Sequence, residues 1–345
     1  GMDQDDEKAA AYYRRAAEMN YLPALVSLGL RYENGRGVAA DPAHALALYE
    51  RAGERGEPAG ACNAGYCYLH GIGTRPDPER AVAWLKRAAE QDHPRALYLL
   101  GVCYFDGTGV EQSVEEAVAY YRRGAEGNYA PALAGLGYCY EMGRGVPEDK
   151  EKAVEYYRQG AERGYAYAQC NLGRCLFHGI GTEQNLAKGV EWLYKAADQG
   201  DNEARYLLGR YRVLGERITK DTREGESLLR AAAESGHTAA QYYLGTLYMN
   251  GDRLRRDERM AAALFAKAAK KDHGPSLFLL GECYAQGRGV PKDVEKAARL
   301  YQKAANLGEW DAAHALKKLK EERAEGSAPR KAGGLRGLFQ KLKGQ

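Results

Sequence analysis

The residues of this sequence that could do chemistry are arginines, an asparagine and aromatic residues on one predicted helix face. Arg174 and Arg210 lie 36 residues apart, and Arg205 precedes Arg210 by five residues. A guanidinium presents donors that match the two oxygens of a carboxylate. Asn171 can bond both the N–H and the C=O of a peptide. These residues together predict a site for an acidic side chain or a C-terminal carboxylate of a partner peptide. The alternative is that the arginines pair with acidic neighbours such as Glu203 or with solvent.

Further residues that suit peptide binding occupy the same variable positions. Tyrosine and arginine are enriched where the binding energy of protein interfaces is concentrated. Some of the aromatic rings are expected to fill gaps between structural units instead. The predicted peptide- or protein-binding residues are Asn63, Tyr66, Tyr98, Phe105, Tyr138, Asn171, Arg174, Phe177, Tyr206, Arg210, Tyr242 and Phe278.

An internal repeat positions these residues. A glycine preceded by leucine, or once by alanine, recurs every 36 residues from Gly29 to Gly281. Each repeat is predicted to form two helices. The first helix has a stripe of residues expected to be buried, which in the first repeat includes Ala24, Leu28 and Tyr32. The glycine within this stripe is expected to let a neighbouring helix approach closely. The repeats are 21–56, 57–92, 93–128, 129–164, 165–200, 201–236, 237–272 and 273–308, with half-repeats at 6–20 and 309–323.

Helix ends are also marked in each repeat. The first helix is expected to end at a glycine such as Gly35, because glycine accepts the left-handed conformation that closes a helix. The second helix begins after a capping residue such as Asp41, whose side chain accepts from free N–H groups of the first turn. Six repeats have another loop glycine, as at Gly37. The sixth and seventh have Arg217 and Arg253 there, which leaves the geometry of those loops open.

The combined pattern resembles a known family. Leu-Gly-x-x-Tyr-x-x-Gly-x-Gly-Val, followed by Asp and by Ala-x-x-Tyr-Tyr-x-x-Ala-Ala, is similar to the Sel1-like repeat, a relative of the tetratricopeptide repeat, over residues 6–323. The resemblance implies an all-α, right-handed superhelical solenoid of eight 36-residue helix-turn-helix repeats with half-repeats at both ends. It also implies a concave groove lined by first helices, and adaptor roles found mostly in bacteria.

Composition and motifs argue against several other classes of protein. Lys and Arg number 50 against 47 Asp and Glu, which disfavours a nucleic-acid binder. No nucleotide loop, nucleophile elbow or metal-binding motif is present, so neither an enzyme nor a cofactor or metal is predicted. The seven cysteines are expected to be reduced packing residues. Five of them share one repeat position, namely Cys67, Cys103, Cys139, Cys175 and Cys283.

The sequence therefore predicts a monomeric scaffold that binds a peptide or protein surface in its groove. The alternative is a secreted or periplasmic envelope or host-interaction factor, and a more distant one is an envelope hydrolase. The acidic start has no apolar stretch, so the cytoplasm is expected unless a signal peptide was removed. Residues 324–345 are predicted to be a flexible tail. Its basic amphipathic part, 335–343, is the one segment expected to contact a membrane, with docking on a partner as the alternative.

Overall fold

The computed structural model describes residues 4–215 and 217–327. Over these residues the chain forms eighteen α-helices and no strand, which confirms the predicted all-α repeat fold. The chain divides into two compact units, 1–204 and 205–345, and the boundary lies within the helix Asn202–Leu214. The last helix runs slightly beyond the predicted end of the repeats at 323. Residues 328–345, including the predicted basic segment 335–343, lie outside the described residues.

The helices alternate between first and second helices of successive repeats. The first helices, including the half-repeat at the end, are α2 (Leu22–Asn34), α4 (Pro58–His70), α6 (Pro94–Asp106), α8 (Ala130–Met142), α10 (Ala166–His178), α12 (Asn202–Leu214), α14 (Thr238–Asn250), α16 (Gly274–Gln286) and α18 (Trp310–Ser327). The second helices are α1 (Gln4–Glu18), α3 (Pro42–Glu54), α5 (Pro78–Ala89), α7 (Val114–Glu126), α9 (Lys150–Glu162), α11 (Leu186–Asp198), α13 (Thr222–Glu234), α15 (Glu258–Ala269) and α17 (Val294–Asn306).

The predicted signals at the helix ends are confirmed. Gly35 ends α2 with φ +66°, and its N–H donates to the carbonyl of Arg31. The side chain of Asp41 accepts a hydrogen bond of 2.9 Å from the N–H of His44 at the start of α3. The same side-chain cap recurs at the other complete second helices, at Asp77, Ser113, Asp149, Asn185, Asp221, Asp257 and Asp293.

The two loops without a second glycine differ from each other. Arg217 takes a left-handed conformation, with φ +63°, at the position where other repeats have glycine. Arg253 has no such conformation, and the next residue, Leu254, is buried. The loop of the sixth repeat therefore keeps its left-handed residue, with an arginine in place of glycine. The backbone of the loop in the seventh repeat follows a different path.

The repeated glycine inside each first helix makes room for a side chain as well as for a helix. A Cβ atom on Gly101 would lie 2.3 Å from Cε1 of Tyr121, so the glycine accommodates an aromatic ring of the second helix. Where leucine replaces that ring, the backbones come closer, and a Cβ on Gly173 would lie 2.9 Å from the carbonyl of Gly189. Backbone also lies close in a repeat with a ring, since a Cβ on Gly137, which faces the Tyr157 ring, would lie 3.2 Å from the carbonyl oxygen of Ala153.

All seven cysteines are buried and unpaired. Burial raises the pKa of the Cys62 thiol to about 11 and that of the Cys67 thiol to about 12. Thiol reagents attack the thiolate, so both low exposure and high pKa slow the reaction.

We expect a thiol reagent at neutral pH to label almost none of the cysteines in the folded protein and all seven after unfolding without reductant. The measurement is absorbance titration with an aromatic disulfide reagent. A count below seven in denaturant would show that disulfides form and would contradict the prediction of packing residues.

No helix among the described residues has the length and the apolar character needed to span a membrane.

Candidate functional site

Aromatic residues of the first unit converge on one cavity. It has a volume of about 200 Å³ and lies among α6, α7, α8 and α10. Two of the predicted binding residues, Tyr98 and Tyr138, line it, together with residues that sequence reasoning did not select. We call this cavity the tyrosine cleft, and it is lined by Tyr98, Tyr121, Pro131, Ala134, Gly135, Tyr138, Tyr165 and Tyr167.

The helix register explains why the tyrosines meet. Tyr98 lies in the first turns of α6, whereas Tyr138 lies one turn further along α8. Tyr129 and Tyr165 each precede a first helix in extended backbone, which directs them towards the preceding repeat. The Tyr98 and Tyr129 ring centroids are 5.9 Å apart, and Tyr98 adds to burial in raising the pKa of Tyr165. Gly135 leaves the Tyr121 ring at the base of the cleft uncovered, because it has no side chain. A Cβ atom at this position would lie 3.3 Å from the ring.

The tyrosine cleft is lined by tyrosines together with proline, alanine and glycine. Burial is the main cause that raises the pKa of Tyr121, Tyr165 and Tyr167 above the usual value for tyrosine. The hydroxyl groups therefore stay protonated and can donate as well as accept hydrogen bonds. An apolar body with polar tips is suited to contacts with a peptide, since rings pack on its side chains while hydroxyls reach its backbone.

Phe105 extends the aromatic surface beside the cleft. Its ring contacts the Tyr138 ring edge-on at 6.0 Å between centroids, and the guanidinium of Arg144 lies 4.5 Å from the centre of the Phe105 ring. Phe105 is half-buried. It supports Tyr138 rather than lining the cavity itself.

The predicted carboxylate site at Arg174 is already occupied by a carboxylate of the protein. Its Nη2 donates to Oε1 and Oε2 of Glu141 at 2.6 and 2.8 Å. The buried hydroxyl of Tyr157 also donates to Glu141. Burial lowers the pKa of Arg174, but the hydrogen bond and the charge of Glu141 outweigh this effect and leave the pKa raised. Arg174 is thus paired with an acidic side chain of the protein, as in the alternative that the sequence left open, and its binding of an external carboxylate stays a prediction.

Asn171 is likewise engaged within the protein. Its Nδ2 donates to the carbonyl of Tyr167 at 2.9 Å, and its Oδ1 accepts from Arg174 at 3.2 Å. One N–H and one lone pair of the amide are therefore in use within the protein, and the predicted role of Asn171 in holding a peptide backbone stays a prediction.

Phe177 was wrongly assigned to the binding surface. Only 2% of its surface is exposed. The backbone at Phe177 lies close to α11, since a Cβ on Gly189 would lie 2.8 Å from the Phe177 backbone nitrogen. At the same repeat position, Phe105 is half-buried.

Asn63 and Tyr66 surround an arginine of the next repeat. The guanidinium of Arg95 lies 4.4 Å from the centre of the Tyr66 ring and donates to Oδ1 of Asn63 at 3.1 Å. Tyr66 also contacts the His70 ring at 4.2 Å. All four residues lie on α4 or α6, so this cluster links the two helices.

The second unit contains the four remaining predicted residues. Tyr242 contacts the His273 ring at 5.2 Å. Phe278 contacts the Tyr301 ring at 5.9 Å and lines a separate cavity of about 200 Å³. Tyr206 and Arg210 belong to a different group of side chains, in which the guanidinium lies 5.5 Å from the centre of the tyrosine ring.

Comparison with protein families identifies the repeat. The Sel1 repeat model matches residues 1–21, 22–57, 58–93, 94–129, 130–165, 166–201, 202–237, 238–273 and 274–309. These matches cover most of the chain and follow the 36-residue spacing. The chain belongs to the Sel1 repeat family. The boundaries lie one residue beyond those predicted, and the first match is a partial repeat.

Solved structures of Sel1 repeat proteins support the assignment. The chain is 31% identical to a Sel1 repeat protein from Oxalobacter formigenes, covering 90% of this chain and 89% of that chain with a TM-score of 0.63. It is also 31% identical to c5321, a protective antigen of uropathogenic Escherichia coli strains, covering 90% and 74% of the two chains with a TM-score of 0.57.

A more distant likeness concerns the fold alone. Yeast Tom70 is 14% identical over 84% of this chain and 62% of that chain, with a TM-score of 0.50. No curated protein matches the sequence. Sel1 repeats generally form protein-interaction scaffolds, and the fold is typically non-enzymatic.

Proposed function

We propose that this Sel1 repeat protein is a scaffold that binds a peptide segment of a partner protein through the tyrosine cleft. The observation that carries the proposal is the convergence of Tyr98, Tyr121, Tyr138, Tyr165 and Tyr167 on one cavity of about 200 Å³. Tyrosine combines a large apolar area with a polar tip, and few rotatable bonds are fixed when it binds.

The accessibility of the cleft supports this role. Tyr167 is 41% exposed, and Tyr98 and Tyr138 are half-buried. Tyr121 forms the base and is almost completely buried. A partner side chain can therefore lie against rings that already pack on the buried Tyr121 ring. Because these rings are ordered before binding, less side-chain entropy is lost when the partner binds.

The function is tested by removing rings that do not support the core. We expect the double variant Tyr138→Ala and Tyr167→Ala to weaken partner binding by about 2–4 kcal/mol, because aromatic residues at the centre of an interface carry much of the binding energy. The partner is first captured from the source organism with the immobilised wild-type chain. Its affinity for both proteins is then measured by calorimetry.

A matched control removes two tyrosines outside the cleft in the same unit. Tyr12 and Tyr21 are 69% and 61% exposed, so Tyr12→Ala with Tyr21→Ala should leave the affinity unchanged. A photoreactive amino acid at position 167 should crosslink to the partner. Equal affinity of the cleft variant and the control, with no crosslink, would show that the cleft is not the binding site.

A further inference from the structure

Arg174 and Arg210 occupy the same repeat position but have different surroundings. Arg174 is neutralised by Glu141. The position 36 residues after Glu141 is Phe177, so the next repeat has no counterpart of that carboxylate. Among the described residues, no acidic side chain pairs with Arg210. Within the described part of the second unit, this guanidinium is therefore without an acidic partner.

Two aromatic rings hold this guanidinium in place. It lies 5.5 Å from the centre of the Tyr206 ring and 5.4 Å from that of Tyr243. The two rings are nearly perpendicular, at 84°, with centroids 6.1 Å apart. Arginine stacked on aromatic faces keeps its donors in a fixed plane, which favours recognition of a planar carboxylate. The Nε atom is buried without a hydrogen-bond partner, so part of the group is desolvated without compensation.

A second arginine affects Tyr243. Burial raises the pKa of Tyr243, while the charges of Arg210 and Arg253 act to lower it. Arg253 is exposed and stands where six other repeats have a loop glycine. Arg210 and the arginine in the altered loop are thus both departures from the common repeat, and both act on Tyr243.

We propose that Tyr206, Arg210 and Tyr243 form a binding site for an acidic peptide segment. One aspartate or glutamate side chain of the segment pairs with Arg210 between the two rings. One guanidinium suits a single acidic side chain, whereas a nucleic acid would need a longer basic surface. The three residues all belong to the second unit, so this site and the tyrosine cleft can succeed or fail independently.

The test uses the full chain and labelled synthetic peptides. A hexaglutamate peptide with blocked ends is the probe, and fluorescence anisotropy measures its affinity. We expect Arg210→Met to weaken binding about tenfold or more, since it keeps the aliphatic packing between the rings but removes the charge. Arg210→Lys should restore part of the affinity. Melting followed by circular dichroism checks that each variant is folded.

Three comparisons make the result specific. Arg223 is an exposed arginine of α13, and Arg223→Ala removes the same charge elsewhere in the unit. It should change the affinity by no more than about twofold, because exposed charges are screened by salt. Blocked hexaglutamine should bind far more weakly than hexaglutamate. The variant Tyr138→Ala with Tyr167→Ala should bind hexaglutamate like the wild type, whatever its effect on the scaffold partner.

Several outcomes would overturn the proposal. One is an equal loss of affinity in Arg210→Met and Arg223→Ala, which would indicate unspecific attraction. Another is equal affinity for hexaglutamate and for hexaglutamine with a free C-terminus, which would mean that one terminal carboxylate suffices. A third is tighter binding of an oligothymidylate of the same charge, which would assign the site to nucleic acid.

Discussion

Replacing Gly73 by alanine is expected to destabilise the repeats by about 3–5 kcal/mol, which is a large effect for a single exposed loop residue. Gly73 has φ +71°, and a Cβ atom there would lie 2.2 Å from the carbonyl oxygen of Pro42 and 2.5 Å from its carbon. A left-handed conformation costs an alanine about 1–2 kcal/mol. The contact with Pro42 adds to this cost, because it involves backbone at the start of the previous second helix.

Gly56 offers a matched control in the same unit. It also has a positive φ, +91°, but no atom lies within 4 Å of the Cβ that alanine would add. Gly56→Ala should therefore show only the conformational cost of about 1–2 kcal/mol. Thermal unfolding followed by circular dichroism compares the two variants. Gly73→Ala is expected to melt roughly 6–20 °C below the wild type. If both glycines give the same shift, the backbone contact with Pro42 does not determine loop stability.

The second large effect is expected for Arg174→Ala, which should lower the free energy of unfolding by about 2–4 kcal/mol. The side chains of Arg174 and Glu141 are 27% and 11% exposed, so the pair is mostly shielded from water. Removing the arginine leaves the Glu141 carboxylate with the hydroxyl of Tyr157 but without a compensating charge. This cost comes from an uncompensated, partly buried charge rather than from lost packing alone.

An exposed pair provides the comparison. Arg299 and Glu295 are 79% and 68% exposed at a separation of 4.0 Å on one helix, and Arg299→Ala should cost no more than about 0.5 kcal/mol. Urea unfolding measures both variants. The double variant Arg174→Met with Glu141→Leu should recover much of the stability that Arg174→Ala loses. The unpaired Glu141 carboxylate is then no longer present. If Arg174→Ala retains full stability but loses affinity for the scaffold partner, the sequence-based assignment of Arg174 to ligand binding would be right.

The sequence alone determined the helices and their limits, because the signals are local. The glycine at Gly35 and the carboxylate at Asp41 act on backbone groups within a few residues. Their spacing repeats every 36 residues, so the pairing of helices and the repeat family could be predicted from one-dimensional patterns. Buried packing positions such as the cysteine column were predictable for the same reason.

The site required the tertiary structure, because its contacts join residues of different repeats. Tyr129 and Tyr165 belong to a variable repeat position just before the first helix, outside the helix face on which binding residues were predicted. Phe177 and Phe105 share a repeat position, yet the first is buried and the second half-buried. Repeat position gives the direction of a side chain but not the neighbour that it meets.

The arginines illustrate the same limit. Arg174 and Arg210 are indistinguishable by repeat position, and both were predicted to bind a carboxylate. The carboxylate that neutralises Arg174 comes from Glu141, 33 residues earlier, while the guanidinium of Arg210 lies between the rings of Tyr206 and Tyr243. Only the folded chain decides which charge is compensated internally, because that depends on the side chain that the adjacent repeat places within reach.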